Sequence, residues 1–264
     1  MLPFRVKAYV FCVAFVGSIA VGFSAPLINL DQEAIIASFF FFFCIVLSDI
    51  FSALIPAFKS QISASIALWV AGSLALGGAQ GLVVAVLATL ASELYLRAPL
   101  FRQRNPLVIY SIVFNISQVA VALGMLAIVF KLINAPIGHL NNLLDFGKAI
   151  LGFALVVFTN SSLVSGAVAL STKQPFRYLT TEWFRDFSIQ YLILGVSTLL
   201  LVVLYSLSPW HMLLGLTPLV LVHLSFRSYL RIREEAQKMF EKVVELLEER
   251  DPYTGEHSGE VAEL

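Results

Sequence analysis

Charged side chains are what this sequence has least of: Asp, Glu, Lys and Arg make up 13% of its 264 residues, half the ~25% usual in a soluble domain. Apolar residues fill the gap, at 59% of the chain including 22 Phe, with a mean hydropathy of +0.87. One core cannot hide that much apolar surface and keep a water-soluble exterior. The composition therefore excludes an ordinary soluble domain and predicts an all-α, polytopic bundle of transmembrane helices. A net charge of zero, from 17 basic and 17 acidic residues, excludes bulk-electrostatic nucleic-acid binding. There are two cysteines, Cys12 and Cys44, both inside apolar stretches. Neither spacing nor setting indicates a disulfide or a metal site, and buried free thiols are the expected state. Also missing are an ATPase motif, a Ser/His/Asp arrangement, an intramembrane His-x-x-x-His, a 20–50-residue repeat and an inverted repeat with paired broken helices.

A bilayer core about 30 Å thick needs about 20 apolar residues per helix. On that ruler the spans fall near 8–25, 34–55, 62–78, 79–96, 107–130, 148–171, 187–207 and 210–226, with six as the fallback count. The third and fourth are separated only by Leu76-Gly77-Gly78-Ala79-Gln80-Gly81, readable as a tight turn or as a break in one long helix. With eight spans and the N-terminus inside, the cytoplasmic side holds Arg5, Lys7, Lys59, Arg97, Arg102, Arg104, Lys173, Arg177 and Arg185, against Lys131 and Lys148 outside. That bias follows the positive-inside rule and places both termini in the cytoplasm. The longest external loop, 131–147, is too short for an external sensing domain. Any signal from that side has to be read by the helices themselves.

Polar groups inside the bilayer are costly and are candidates for function. Asp49, Asn115, Gln118 and Asn160 are the candidate ligand-binding residues, forming a polar pocket between the second, fifth and sixth spans. The alternative is that they are packing hydrogen bonds between helices. Glu93 and Arg97, four residues apart, are expected to pair along one helix face.

After Phe226 the material changes. The last 38 residues carry 6 of the 17 basic residues and more than half of the acids. Phe226, Tyr229, Ala236, Phe240, Val243 and Leu247 recur at helical spacing with Arg233 as a polar heptad position. Residues 227–250 are thus an amphipathic cytoplasmic connector helix, lying against its own domain or forming a parallel homodimer. Residues 1–226 would be the membrane domain, whose partners are the lipid bilayer and an unknown small-molecule or membrane signal.

The segment that follows is Arg250-Asp251-Pro252-Tyr253-Thr254, two residues, His257-Ser258, two residues and Val261. It resembles the opening motif of the HD-GYP family, bacterial phosphohydrolases that degrade cyclic di-GMP, and residues 239–249 look like that family's first helix. The resemblance covers about a dozen residues. It implies that residues 251–264 begin an HD-GYP (HD) phosphohydrolase domain that the 264 residues do not complete, since His-Asp and Gly-Tyr-Pro motifs are missing. It further implies a complete protein with metal-dependent phosphodiesterase activity. Iron or manganese would be held in that full catalytic domain, with His257 as one ligand and no cofactor expected in this chain alone. Tyr253 stands where three-metal members carry Glu, which favours a two-metal site. The function this resemblance implies is a sensor in a bacterial inner membrane that governs such an enzyme. The alternative is a small-molecule transporter or a substrate-binding membrane component.

Overall fold

The computed structural model describes residues 3–51, 53–55, 60–62, 64–102 and 107–250. Eight α-helices follow in chain order: α1 Phe4–Ser24, α2 Gln32–Ile50, α3 Ser65–Leu76, α4 Gly78–Arg102, α5 Leu107–Leu132, α6 Leu143–Thr172, α7 Phe176–Leu207 and α8 Met212–Arg250. Between α2 and α3 lies one antiparallel hairpin, β1 Ala53–Ile55 and β2 Ser60–Ile62. The all-α bundle expected from composition is present, with the hairpin its one addition among the described residues. Contacts divide the chain into two units, Met1–Val222 and His223–Leu264.

Among the described residues six helices are long and apolar enough to cross a membrane: Phe4–Leu27, Gln32–Ile50, Gly78–Leu100, Leu107–Leu132, Leu143–Thr172 and Phe187–Leu207. By length, six of the eight expected spans are matched by such helices. The expected third span is a helix of 12 residues, about 18 Å long at 1.5 Å per residue. Its sequence, SIALWVAGSLAL, is apolar all round, and a helix of that kind is stable only when enclosed. Every residue from Ser65 to Ala75 is buried, between α2, α4, α6 and α7. The expected last span coincides with a 3-10 turn at Pro209–His211 and the start of α8.

Gly77 alone separates α3 from α4, and its φ of +92° lies where side-chain-bearing residues are strained. The Gly-rich hexapeptide is therefore a tight turn. Beyond it the helices nearly touch: a Cβ on Gly81 would stand 2.4 Å from the Ser73 Cα.

Pairs across the interfaces fix the direction of each helix. Ser38 meets Gln80 and Asp49 meets Ser92, so α2 and α4 run in parallel. Asn115 bonds Glu93, while Gly78 abuts Ala127, so α5 opposes α4. Thr159 with Met125, and Gly152 against Phe130, oppose α6 to α5. Ser161 with Tyr191, and Gly195 against Phe153, oppose α7 to α6. Helix α1 runs with α5, Gly17 on Ser117 and Ala20 on Gly124. Helix α3 runs with α7, where Thr198 Oγ1 donates to the Ala67 carbonyl at 3.4 Å. Up-and-down alternation thus holds from α1 to α7, with α3 as a short inner member.

Large apolar side chains cover the outside of this unit, among them Phe11, Phe15, Phe39, Phe43, Ile128 and Ile189, as contact with lipid tails requires. Helix α1 turns Val6, Val10, Val13 and Gly17 inward. That orientation leaves Cys12 exposed, correcting the expectation of two buried thiols, while Cys44 is half-buried against the core.

Candidate functional site

Helix α4 carries the polar chemistry of the bundle. Near its start Gln80, 4% exposed, ties down the entry to α2. Its Oε1 accepts from the Asn29 backbone N–H at 3.1 Å, and its Nε2 donates to Ser38 Oγ at 2.8 Å. Three turns further on, Thr89, Ser92 and Glu93 form a second polar layer, all buried. Ser92 Oγ lies 3.0 Å from both Asp49 Oδ2 and the Thr89 carbonyl, acting as donor. Glu93 accepts from Asn115 Nδ2 at 2.8 Å through one oxygen and from Arg97 Nε through the other.

Asp49 on α2 and Asn115 on α5 therefore reach adjacent residues of α4, which lies between them. Gln118 is one turn beyond Asn115, and its Oε1 is buried without a partner. Two of the four residues singled out in the sequence, Asp49 and Asn115, bond to this layer. Asn160 does not. It sits on α6, where the neighbouring Thr159 hydroxyl meets Met125 of α5, seven residues past Gln118 and so about 10 Å along the helix. Its Oδ1 is likewise buried and unpartnered. Helix α4, outside the expected grouping of the second, fifth and sixth helices, is what joins Asp49 to Asn115.

Chemically, the layer is a half-satisfied polar network in a low-dielectric setting. The Glu93 carboxylate, with 9% of its side chain exposed, is neutralised by a guanidinium that is 26% exposed. Such a pair is tolerated where further hydrogen bonds meet the remaining lone pairs, as Asn115 does here. Interhelical bonds of this kind contribute about 0.6–2 kcal/mol each in membranes. Apolar packing leaves other polar atoms unmatched, including Trp69 Nε1, Thr89 Oγ1 and Ser165 Oγ. A second network joins α6 to α7: Trp183 Nε1 donates to the Tyr191 hydroxyl at 2.6 Å, and that hydroxyl lies 3.2 Å from Ser161 Oγ. Ser92 and Thr89 escaped the sequence reading because small hydroxyl residues are unremarkable in an apolar helix. Their three- and four-residue spacing to Glu93 was the available signal. Among the described residues no group of three or more His, Cys, Asp or Glu could hold a metal ion. His257 lies outside the described residues.

Taken with the lipid-facing exterior, the buried polar layer defines a polytopic helical membrane domain. The family comparison agrees in class and is more specific. MASE9, a family of membrane-associated sensory domains, matches residues 29–234, more than three-quarters of the chain. The chain belongs to that family. No curated protein and no solved structure matches it.

Proposed function

We propose that the chain is the membrane-embedded sensory module of a bacterial HD-GYP-type, metal-dependent phosphohydrolase acting in cyclic di-GMP signalling. One conjunction carries the proposal: a MASE9 domain matched to residue 234 is followed, after 15 intervening residues, by the Arg250-Asp251-Pro252-Tyr253-Thr254 and His257-Ser258 motif. Iron or manganese would supply the activated water in the complete catalytic domain. His257 is the one ligand position present, and one imidazole does not hold the ion.

The signal would be a small molecule or a membrane change that shifts the packing of α2, α4 and α5. Residues 223–250 would carry it onward. In that unit Arg231 pairs with Glu235 at 2.8 Å and Glu234 with Lys238 at 3.0 Å, which holds the charges in helical register. Tyr229, Ile232, Met239, Phe240 and Val243 stay exposed, and that face supports a homodimer of connector helices.

The test replaces residues 1–226 of the complete protein with an unrelated dimeric membrane span and measures cyclic di-GMP hydrolysis in isolated membranes. Hydrolysis that persists but no longer responds to growth conditions that modulate the parent supports the proposal. Identical modulation in parent and chimera would refute it.

A further inference from the structure

One corner of the membrane bundle collects positive charge that no described acid neutralises. It lies where α1 begins and α6 hands over to α7. The Tyr9 hydroxyl donates to the Leu163 carbonyl at 2.9 Å, and a Cβ on Gly166 would stand 2.6 Å from that hydroxyl. These contacts set the first turns of α1 beside the last turns of α6, with Val6 and Leu170 in one apolar cluster. Arg5 is one turn before Tyr9, so it shares the face that Tyr9 presents to α6. Because the two helices are antiparallel, stepping back from Tyr9 to Arg5 moves toward the end of α6. Side chains lean toward the N-terminus of their helix, which carries the Arg5 guanidinium further the same way. At that end stands Lys173, two turns after Gly166 and at the C-cap of α6. Arg177 follows in the first turn of α7.

Arg5, Lys173 and Arg177 are all exposed, and among the described residues none of them has an ion pair or a side-chain hydrogen bond. Glu182, the acid nearest in sequence to Arg177, is already engaged by the Tyr178 hydroxyl at 2.6 Å and by Arg185 at 3.5 Å. Like charges gathered in this way repel unless an anion joins them. The corner also marks one end of two apolar spans, Phe4–Leu27 and Leu143–Thr172, which is the level of lipid headgroups. Exposed Phe4, Phe176 and Tyr178 flank the cations, as aromatic rings do at a membrane–water boundary. The opposite end differs: Lys131 and Lys148 share it with Asp31, Glu33 and Asp145, so no positive excess builds up there.

We propose that this corner binds the phosphate of an anionic phospholipid, with Arg5, Lys173 and Arg177 around the headgroup and the acyl chains along the apolar flank of α1 and α6. A lipid fits better than a soluble phosphate, because the cations stand at the edge of the hydrocarbon and the exposed rings beside them offer the chains a surface. The site belongs to the membrane bundle alone and stands whether or not a phosphodiesterase follows.

The experiment is a lipid titration of the purified 264-residue chain in a neutral detergent, read by native mass spectrometry. Phosphatidylglycerol and phosphatidylcholine with identical acyl chains are compared. The parent should bind phosphatidylglycerol the more tightly. Arg5→Gln, Lys173→Asn and Arg177→Gln should each weaken that binding about fivefold and leave phosphatidylcholine binding unchanged. Asn is the choice at 173 because that residue has a φ of +61°, a conformation Asn tolerates. Lys131→Gln removes the same charge from the opposite end and should have no effect. Equal binding of both lipids by the parent, or a loss from Lys131→Gln as large as that from Arg177→Gln, would overturn the site. Displacement of phosphatidylglycerol by inorganic phosphate, beyond that caused by chloride at the same ionic strength, would also overturn it by assigning the corner to a free anion. Arg177 is on the surface, so Arg177→Gln carries the test even where a change at 5 or 173 disturbs packing.

Discussion

Arg97 and Glu93 offer the sharpest quantitative test of the polar layer, because the two ends of their ion pair sit in different surroundings. The Glu93 side chain is 9% exposed and the Arg97 side chain 26%. Truncating Arg97→Ala strands a buried carboxylate with only Asn115 to stabilise it, a change that costs about 3–5 kcal/mol in comparable buried pairs. Glu93→Gln removes the charge but keeps an oxygen for Asn115 Nδ2 to bond. The released guanidinium, already a quarter exposed, can extend to the interface on its flexible stem. That loss should be about 1 kcal/mol. The double variant Glu93→Gln/Arg97→Ala has no stranded charge, so it should be more stable than Arg97→Ala alone, with a coupling of about 2–3 kcal/mol. Denaturant unfolding of the purified protein in mixed micelles, followed by helical circular dichroism, measures all three. Equal losses for the two single variants, or strict additivity in the double, would refute the reasoning that burial makes the pair asymmetric.

Gly81→Val should be severely destabilising, since its Cβ would lie 2.4 Å from the Ser73 Cα, a backbone atom that cannot yield; overpacking of this kind costs about 1–3 kcal/mol or more. Gly22→Ala, where nothing lies within 4 Å of the new methyl, should instead stabilise α1 by about 0.5–1 kcal/mol, and the two melting midpoints compare directly. Gln80→Leu breaks the ties to both Asn29 and Ser38, and a loss of about 1–3 kcal/mol is expected; a value near zero would mean that those bonds do not hold α2 in place.

How far the fold could be read from the sequence varied with the element. Long apolar helices such as α5 and α6 were legible from length alone. The i,i+4 pair of Glu93 and Arg97 was legible from spacing, because helix geometry makes such neighbours meet. Helix α3 was not: SIALWVAGSLAL satisfies a hydropathy window whether it crosses lipid or sits inside protein, and only its 12-residue length separates the two. The Gly77 turn was one of two readings until its positive φ decided it. Asn115 and Asp49 were recognised as costly polar groups, but the helix that joins them, α4, was not. A helix that is apolar all round shows no stripe to say which face meets which neighbour, so the pairing of Asn115 with Glu93 and of Asp49 with Ser92 is set by tertiary packing. Asn160 was grouped with them for the same reason, and the antiparallel register of α5 and α6 places it elsewhere.

The central claim, that this bundle sets the output of a catalytic domain, is tested most directly by cyclic di-GMP hydrolysis. The complete protein, reconstituted in nanodiscs, would be compared with its Asn115→Leu variant, which severs α5 from Glu93 without touching residues after 226. The account predicts a several-fold change in kcat with the metal requirement and KM unaltered. Equal rates for the two proteins, with the variant shown to be folded, would contradict it.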